Sequence, residues 1–318
     1  MVKAVINLGV IGSGPIASKH LDVLAALDGV QIAALCSRRA GPRDALARQY
    51  GVPAQFEHVD ALLQQPMDGV LVLVAPDALA GVAAATLKRG IPTFLEKPPG
   101  LTFREAEALA ELAERRRVPN QVGLNRRFYS VITSARTAIE QSGALFGVRI
   151  EAPEAIARAR AAGRSEDLLR HWIAANSLHA IDLLRYFGGN VRARHLARRP
   201  DPQITETSLA ALIEFESGAI GQYTAHWGSP GRWSASLYGR GVSAFLTPFE
   251  SGVLRHADGR EEAIAVDDLD VRFKPGFYKQ LEAFVATVRT GTASAPAPDL
   301  AEAARSMELA DWLAGGVR

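Results

Sequence analysis

An apolar run of strand length, Val5 to Ile11, passes without interruption into Gly12-Ser13-Gly14-Pro15-Ile16-Ala17 and then into helix-like sequence as far as His20. Few local patterns restrict a fold so tightly. A strand that must bend within a few residues and continue as a helix needs a glycine at the bend, and Gly12 supplies it. Gly14 leaves the backbone bare where a pyrophosphate would approach, and Ala17 is small enough for the helix to lie against the strand. Pro15 suits the first helical turn, where a missing N–H costs nothing and φ is already near the helical value. The backbone from Gly12 through Ser13 and Gly14 to Pro15 and Ile16 is thus expected to hold phosphate on N–H groups left free at the helix start. The stretch reads as the first strand, turn and helix of a dinucleotide-binding βαβ unit.

Strand and helix signals go on alternating through the first 123 residues. Val30 to Cys36 is the second strand, followed by a helix from about Pro42 to Tyr50, and Ala54 to Phe56 is a short third strand. Asp68 to Ala75, DGVLVLVA, reads as a continuously apolar fourth strand of the kind buried on both faces. A helix from Asp77 to Arg89 leads to the fifth strand, Ile91 to Leu95. Thr102 and Glu105 make a capping box opening a helix through about Arg116, and Val118 to Leu124 is the sixth strand. Such alternation builds a doubly wound parallel sheet with right-handed crossovers.

Beyond residue 123 the rhythm changes. Helices from about Tyr129 to Gln141 and up to Phe187-Gly188-Gly189 are followed by strands with no helices between them. Thr207 to Phe215 and Ala219 to Trp227 read as a hairpin closed by Glu216-Ser217-Gly218; Trp233 to Tyr238 and Ser243 to Thr247 continue in the same manner. Strands joined by turns imply an antiparallel sheet. The fold class expected is therefore α/β: an N-terminal Rossmann domain with a doubly wound parallel sheet over residues 1–123, and a C-terminal α+β substrate and oligomerisation domain on a mainly antiparallel sheet over 124–297. A C-terminal helix, Leu300 to Leu313, lies within 298–318. Leu209, Ala211 and Ile213 alternate with Ala210, Leu212 and Glu214, so this strand is apolar on both sides and one sheet face needs a cover.

Composition narrows the function. With 318 residues the chain can bury two cores. A net charge of +2 gives no footing for a nucleic acid or a membrane surface, and no apolar run reaches membrane-spanning length. The sequence opens on no charged-then-apolar signal, and the one cysteine, Cys36, can form no internal disulfide, so a cytoplasmic, reducing location is expected. His171, His195, His226 and His256 lack metal-ligand spacing, and no metal is expected. Lysine is confined to Lys3, Lys19, Lys88, Lys97, Lys274 and Lys279, which sets apart the one at the end of the fifth strand.

That lysine stands in Glu96-Lys97-Pro98, at the carboxyl end of the sheet, where open α/β proteins bind ligands. Taken with the glycine turn, with Val122-Gly123-Leu124-Asn125-Arg126-Arg127-Phe128 and with His179-Ala180-Ile181-Asp182, it resembles the Gfo/Idh/MocA oxidoreductases over the whole chain, in order and spacing. The resemblance implies a two-domain enzyme that moves a hydride between a nicotinamide cofactor and a secondary alcohol or carbonyl of a sugar, cyclitol or sugar nucleotide. It implies Lys97 and His179 as the catalytic residues, a cis bond before Pro98, and a homodimer or homotetramer through the C-terminal sheet. A cation at Lys97 stabilises a developing alkoxide, and a histidine at position 179 exchanges a proton near neutral pH. Ala75, Pro76, Glu96 and Lys97 join the expected cofactor set, and Asn125, Arg126, Asn176 and His179 form the expected substrate set. Two positions depart from the family pattern: Ala175 replaces an aspartate four residues before the histidine, and Ala80 stands where many relatives have histidine.

The second strand ends in Ser37-Arg38-Arg39 with no acid. NAD-specific folds put a carboxylate there for the ribose 2′-hydroxyl, whereas a 2′-phosphate wants cations and small donors. Ser37, Arg38 and Arg39 therefore favour NADP(H), with NAD(H) as the alternative. The function expected is an oxidoreductase acting on a small carbohydrate-like molecule. The competing expectation, raised by Ala175, is a non-catalytic cofactor-binding regulator or sensor of the same family.

Overall fold

The opening apolar run becomes β1 (Ile6–Ile11), buried except at Asn7, and Gly12 turns it into α1 (Pro15–Leu24). The expected alternation follows as β2 (Val30–Cys36), α2 (Ala40–Tyr50), β3 (Ala54–Phe56), the single turn α3 (Val59–Leu62), β4 (Gly69–Val72), α4 (Pro76–Lys88), β5 (Thr93–Leu95), α5 (Phe103–Arg116) and β6 (Asn120–Val122). These strands pair in parallel in the order β3-β2-β1-β4-β5-β6. Strand order thus reverses between β1 and β4, and a sheet wound this way takes its ligand at the carboxyl ends beside that reversal. β4 is shorter than the sequence suggests. Past Val72 the chain leaves the ladder, and Ala75 becomes the N-cap of α4 with Pro76 in its first turn. The capping box on α5 is formed: the Thr102 hydroxyl accepts from the Glu105 N–H, and the Glu105 carboxylate accepts from the Thr102 N–H.

The computed structural model describes residues 5–199, 201, 203–204 and 206–315. They divide into two compact units, one within Met1–Asn125 and Arg272–Arg305, the other within Arg126–Val271 and Ser306–Arg318.

In the second unit α6 (Ser130–Ser142), β7 (Leu145–Glu151), α7 (Ile156–Ala161) and α8 (Glu166–Arg170) precede a π-helical turn, Ile173–Ser177, that runs into α9 (Leu178–Gly188). The strands β8 (Val191–Arg199), β9 (Ser208–Phe215), β10 (Ile220–His226), β11 (Ser234–Gly239), β12 (Val242–Leu246), β13 (Gly252–His256) and β14 (Glu261–Ala263) follow, then α10 (Asp268–Arg272). Their sheet runs β14-β13-β12-β11-β7-β10-β9-β8. It is antiparallel except between β7 and β10, which lie parallel. The exception arises because β7 enters the sheet before the helical stretch and separates β10 from β11, two strands consecutive in sequence. Helices α6 and α9 pack on one face, where Leu209, Ala211, Ile213 and Tyr223 are buried. The register puts Leu212, Ile220 and Tyr238 on the other face, and these are 42%, 51% and 38% exposed.

The extent of the second domain differs from the 124–297 expected. The chain returns to the first unit at Arg272, because α11 (Phe277–Thr290) carries an apolar stripe at helical spacing. Phe277, Leu281, Phe284 and Val285 join the core formed by Leu8, Leu21, Leu24, Leu71 and Phe94. Burial of each large side chain is worth about 1.5–3 kcal/mol, and the Gln121 side-chain amide donates to the Gln280 carbonyl at 2.7 Å. The last helix, α12 (Leu300–Leu313), has the expected bounds. Among the described residues no helix is long and apolar enough to cross a membrane.

Candidate active site

The candidate residues fall in two groups, one in each unit. In the first unit, Gly12 has a φ of +124°, and a Cβ there would lie 2.3 Å from the Leu73 carbonyl oxygen. Only glycine fits. Gly14 is different: its φ is −75°, and no atom lies within 4 Å of where its Cβ would stand. The start of α1 beside it has no side-chain cap and no acid in its first turn, so the positive end of the helix meets no carboxylate of its own. This bare backbone suits a pyrophosphate, and Gly12, Ser13, Gly14, Pro15 and Ile16 are the residues that would hold one.

At the end of β2, Ser37 Oγ lies 2.7 Å from Ser13 Oγ, which ties the two loops together. The Arg39 guanidinium donates to the Ser13 carbonyl at 3.2 Å, and the Arg39 N–H donates to Ser37 Oγ at 3.2 Å. Arg38 is exposed beside them. Arg43, which the sequence did not single out, also reaches the Ser37 carbonyl, at 3.4 Å. Burial pushes the Cys36 thiol up, against the opposing charge of Arg43, so this cysteine is a core residue and no thiolate nucleophile.

At the end of β5, Glu96 is anchored from below. Its Oε1 lies 2.7 Å from His20 Nε2, and its Oε2 accepts the Lys97 N–H at 3.2 Å. His20 is wholly buried, with its ring centroid 5.3 Å from that of Phe94 and 4.7 Å from that of Phe277. Its Nδ1 has no hydrogen-bond partner among the described residues, and its Nε2 faces the Glu96 carboxylate, which can only accept. Burial alone would raise the Glu96 pKa; the His20 hydrogen bond and the charges of His20, Lys97 and Lys274 outweigh it and hold the carboxyl below its usual range. The carboxylate thus sits between a buried histidine and the backbone of Lys97. The bond between Lys97 and Pro98 is cis. His20 escaped the sequence reading because it lies on α1, far from Glu96 in sequence and without a motif to mark it.

In the second unit His179 lies in the first turn of α9 and is 7% exposed. Asp182, one turn on, is gripped by Arg127. The Arg126 guanidinium lies over Trp233 at 4.8 Å and Tyr129 at 5.9 Å from the ring centroids, and its Nε is buried. Asn176 is half-buried in the π-helical turn. Asn125, also expected to bind substrate, is 3% exposed, and its amide donates to the Pro275 carbonyl at 2.9 Å. Its amide group secures the chain within the first unit. Among the described residues no three His, Cys, Asp or Glu side chains cluster as metal ligands would.

A parallel sheet wound in this order, with an uncapped helix behind a glycine turn that no larger residue can replace, has the form of a dinucleotide-binding domain. Residues 6–124 match the model of the Gfo/Idh/MocA oxidoreductase family, described as having an NAD-binding Rossmann fold. The chain is 23% identical to 4-carboxy-2-hydroxymuconate-6-semialdehyde dehydrogenase of a Sphingobium species, over 90% of this chain and 91% of the relative. It is also 23% identical to inositol 2-dehydrogenase of Corynebacterium glutamicum, over 90% of this chain and 87% of the relative. A dehydrogenase structure from Chromobacterium violaceum shares the fold with a TM-score of 0.86 and 21% identity, over 98% of this chain and 95% of that one. Residues 6–124 thus carry the NAD-binding Rossmann domain of the Gfo/Idh/MocA family model, and the chain is similar over nine-tenths of its length to two dehydrogenases.

Proposed function

We propose that this protein moves a hydride between a nicotinamide cofactor, NADP(H) in preference to NAD(H), and a secondary alcohol or carbonyl of a sugar, cyclitol or sugar nucleotide. The observation that carries the reading is the Glu96–Lys97 pair at the end of β5, where His20 and the Lys97 N–H hold the carboxylate and so fix the backbone from which the lysine springs. The bound nicotinamide supplies the hydride acceptor or donor. Lys97 stabilises charge on the substrate oxygen, and His179 takes or returns the hydroxyl proton. Arg126, whose guanidinium lies over Trp233, and Asn176 bind substrate polar groups. The alcohol class rests on the relatives, one of which is an inositol 2-dehydrogenase. The presence of both Lys97 and His179 favours an enzyme over a non-catalytic regulator. Purified protein given NADPH and a panel of keto-sugars and keto-cyclitols should oxidise the cofactor; tight cofactor binding with no turnover of any member would overturn this reading.

Preference for NADP(H) follows from Ser37, Arg38 and Arg39, which offer a phosphate hydrogen bonds and cations. A charge-assisted hydrogen bond is worth about 1.5–3 kcal/mol, so NADPH should bind roughly tenfold to a hundredfold more tightly than NADH. Calorimetry giving equal affinities would contradict the assignment, and Arg38→Asp should move the preference toward NADH.

The exposed Leu212, Ile220 and Tyr238 face of the second sheet pairs with another copy of the chain, giving a dimer or tetramer. Sedimentation of a monomer at micromolar concentration would contradict this. The uncrosslinked Cys36 suits a cytoplasmic location.

A further inference from the structure

Ala175 leaves the turn before His179 without the carboxylate that the family pattern puts there, yet a carboxylate reaches that turn from elsewhere. Glu154, which follows β7, is 6% exposed. Its oxygens accept from Trp172 Nε1 at 3.0 Å, from Ser177 Oγ at 2.7 Å, and from Asn176 Nδ2 at 2.9 and 3.1 Å. Burial and the Glu154 charge push the Tyr223 hydroxyl up, so it keeps its proton. The donors come from the π-helical turn, Ile173–Ser177, and from Trp172, the residue that caps its start. Such turns recur at functional sites.

An ionised carboxylate has no proton to give, so only the NH2 end of the Asn176 amide can face Glu154. Carbonyl and NH2 sit on opposite sides of the amide carbon, and the Asn176 Oδ1 must therefore point away from Glu154. We infer that Glu154 is a positioning residue that locks the Asn176 amide with its oxygen turned away from the carboxylate and presented to a substrate hydroxyl, so that Asn176 Oδ1 acts there as an acceptor. The inference rests on the proposed activity and deepens it. The substrate it selects carries a hydroxyl, a donor, at the position Asn176 reads; a carbonyl or ether oxygen there would meet an acceptor and be rejected. Neither residue exchanges the hydride or the proton.

The test is a reciprocal exchange, read on the substrate that the wild type turns over fastest. Asn176→Asp sets two carboxylates face to face and should lower kcat/KM roughly tenfold to a hundredfold, mainly through KM, with NADPH affinity unchanged. Adding Glu154→Gln to it restores a donor facing an acceptor and should recover most of the loss, which a merely structural role for Glu154 would not do. Asn176→Ala alone and together with Glu154→Gln should lose the same amount. No recovery in the reciprocal pair, or additive losses in the alanine pair, would overturn the inference. Should the wild type turn over nothing, the activity reading fails by itself, and the orientation is decided by the Asn176 side-chain amide protons in NMR. Slow solvent exchange that quickens in Glu154→Gln, with cooperative unfolding retained, upholds the lock. Exchange as fast in the wild type as in the variant refutes it. If Glu154→Gln alone does not fold, Asn176→Asp is compared with Asn176→Ser: a larger loss in the aspartate variant supports a facing carboxylate, and equal losses contradict one.

Discussion

Arg127 and Asp182 meet in a two-pronged ion pair, Nε to Oδ2 at 2.7 Å and Nη2 to Oδ1 at 2.6 Å, with side chains only 6% and 2% exposed. Ser306 Oγ also donates to Asp182 Oδ1 at 2.9 Å, and Arg185 donates to Ser306 at 3.1 Å. The pair pins Arg127 to α9, the helix that carries His179, within the second unit. Asp182 shares a helix face with His179 and Tyr186 by spacing, but its oxygens are engaged by Arg127 and Ser306, which makes it a structural anion. Removing one partner strands a buried charge, so Arg127→Ala should cost about 3–5 kcal/mol in urea unfolding. Arg127→Met with Asp182→Leu should recover much of that stability, since neither charge is then left buried.

Gly12 and Gly14 should separate folding from cofactor binding. Gly12→Ala forces a side chain onto the Leu73 carbonyl at a φ of +124°, so it should lower stability by about 1–3 kcal/mol as well as cofactor affinity. Gly14→Ala meets no protein atom within 4 Å and should leave stability unchanged or raise it by about 0.4–1 kcal/mol. If the pyrophosphate lies against Gly14, the same substitution should weaken NADPH binding at least tenfold. Full affinity in a stably folded Gly14→Ala would move the phosphates elsewhere.

Acid stability should depend on Glu96. Its carboxyl is held below the ordinary value of 4.5 in the folded protein by His20, Lys97 and Lys274, against the effect of burial. A depressed carboxyl pKa means that the folded state binds its proton less readily than the unfolded chain. The stabilisation is therefore fully present above pH 4.5 and disappears as pH falls through the lower folded value. Glu96→Gln should be less stable than the wild type at pH 7, and the gap should close progressively below about pH 4.5 in urea titrations. A gap constant from pH 7 to pH 3 would contradict the assignment.

Where function needed local chemistry, the sequence could be read directly. The bend at Gly12, the capping box of Thr102 and Glu105 and the apolar run of β4 each express a requirement met within a few residues. The β9–β10 hairpin was legible for the same reason, its register being fixed by alternation and one short turn. Long-range partners were not. Nothing near Phe277 says that α11 returns to the first sheet, and nothing near Ala175 says that Glu154 supplies a carboxylate to that turn. Residues such as His20, Arg43 and Glu154 carry no spacing signal, because what they touch is set by tertiary packing. The contact of Asn125 with Pro275 was hidden for a related reason: a polar residue in a motif looks the same in sequence whatever distant carbonyl its amide meets.

The central claim is that Lys97 and His179 carry the chemistry while the glycine turn holds the cofactor. Single-turnover oxidation of bound NADPH, followed by absorbance in the wild type, Lys97→Ala, His179→Ala and the double variant, tests it most directly. General acid or base catalysis is worth about 10²–10⁴ in rate, so each single variant should slow hydride transfer by that order with NADPH affinity nearly intact. The double variant should lose far less than the product of the two, because both groups serve one transition state. Wild-type hydride transfer in His179→Ala or Lys97→Ala, on a substrate the wild type demonstrably uses, would contradict the account.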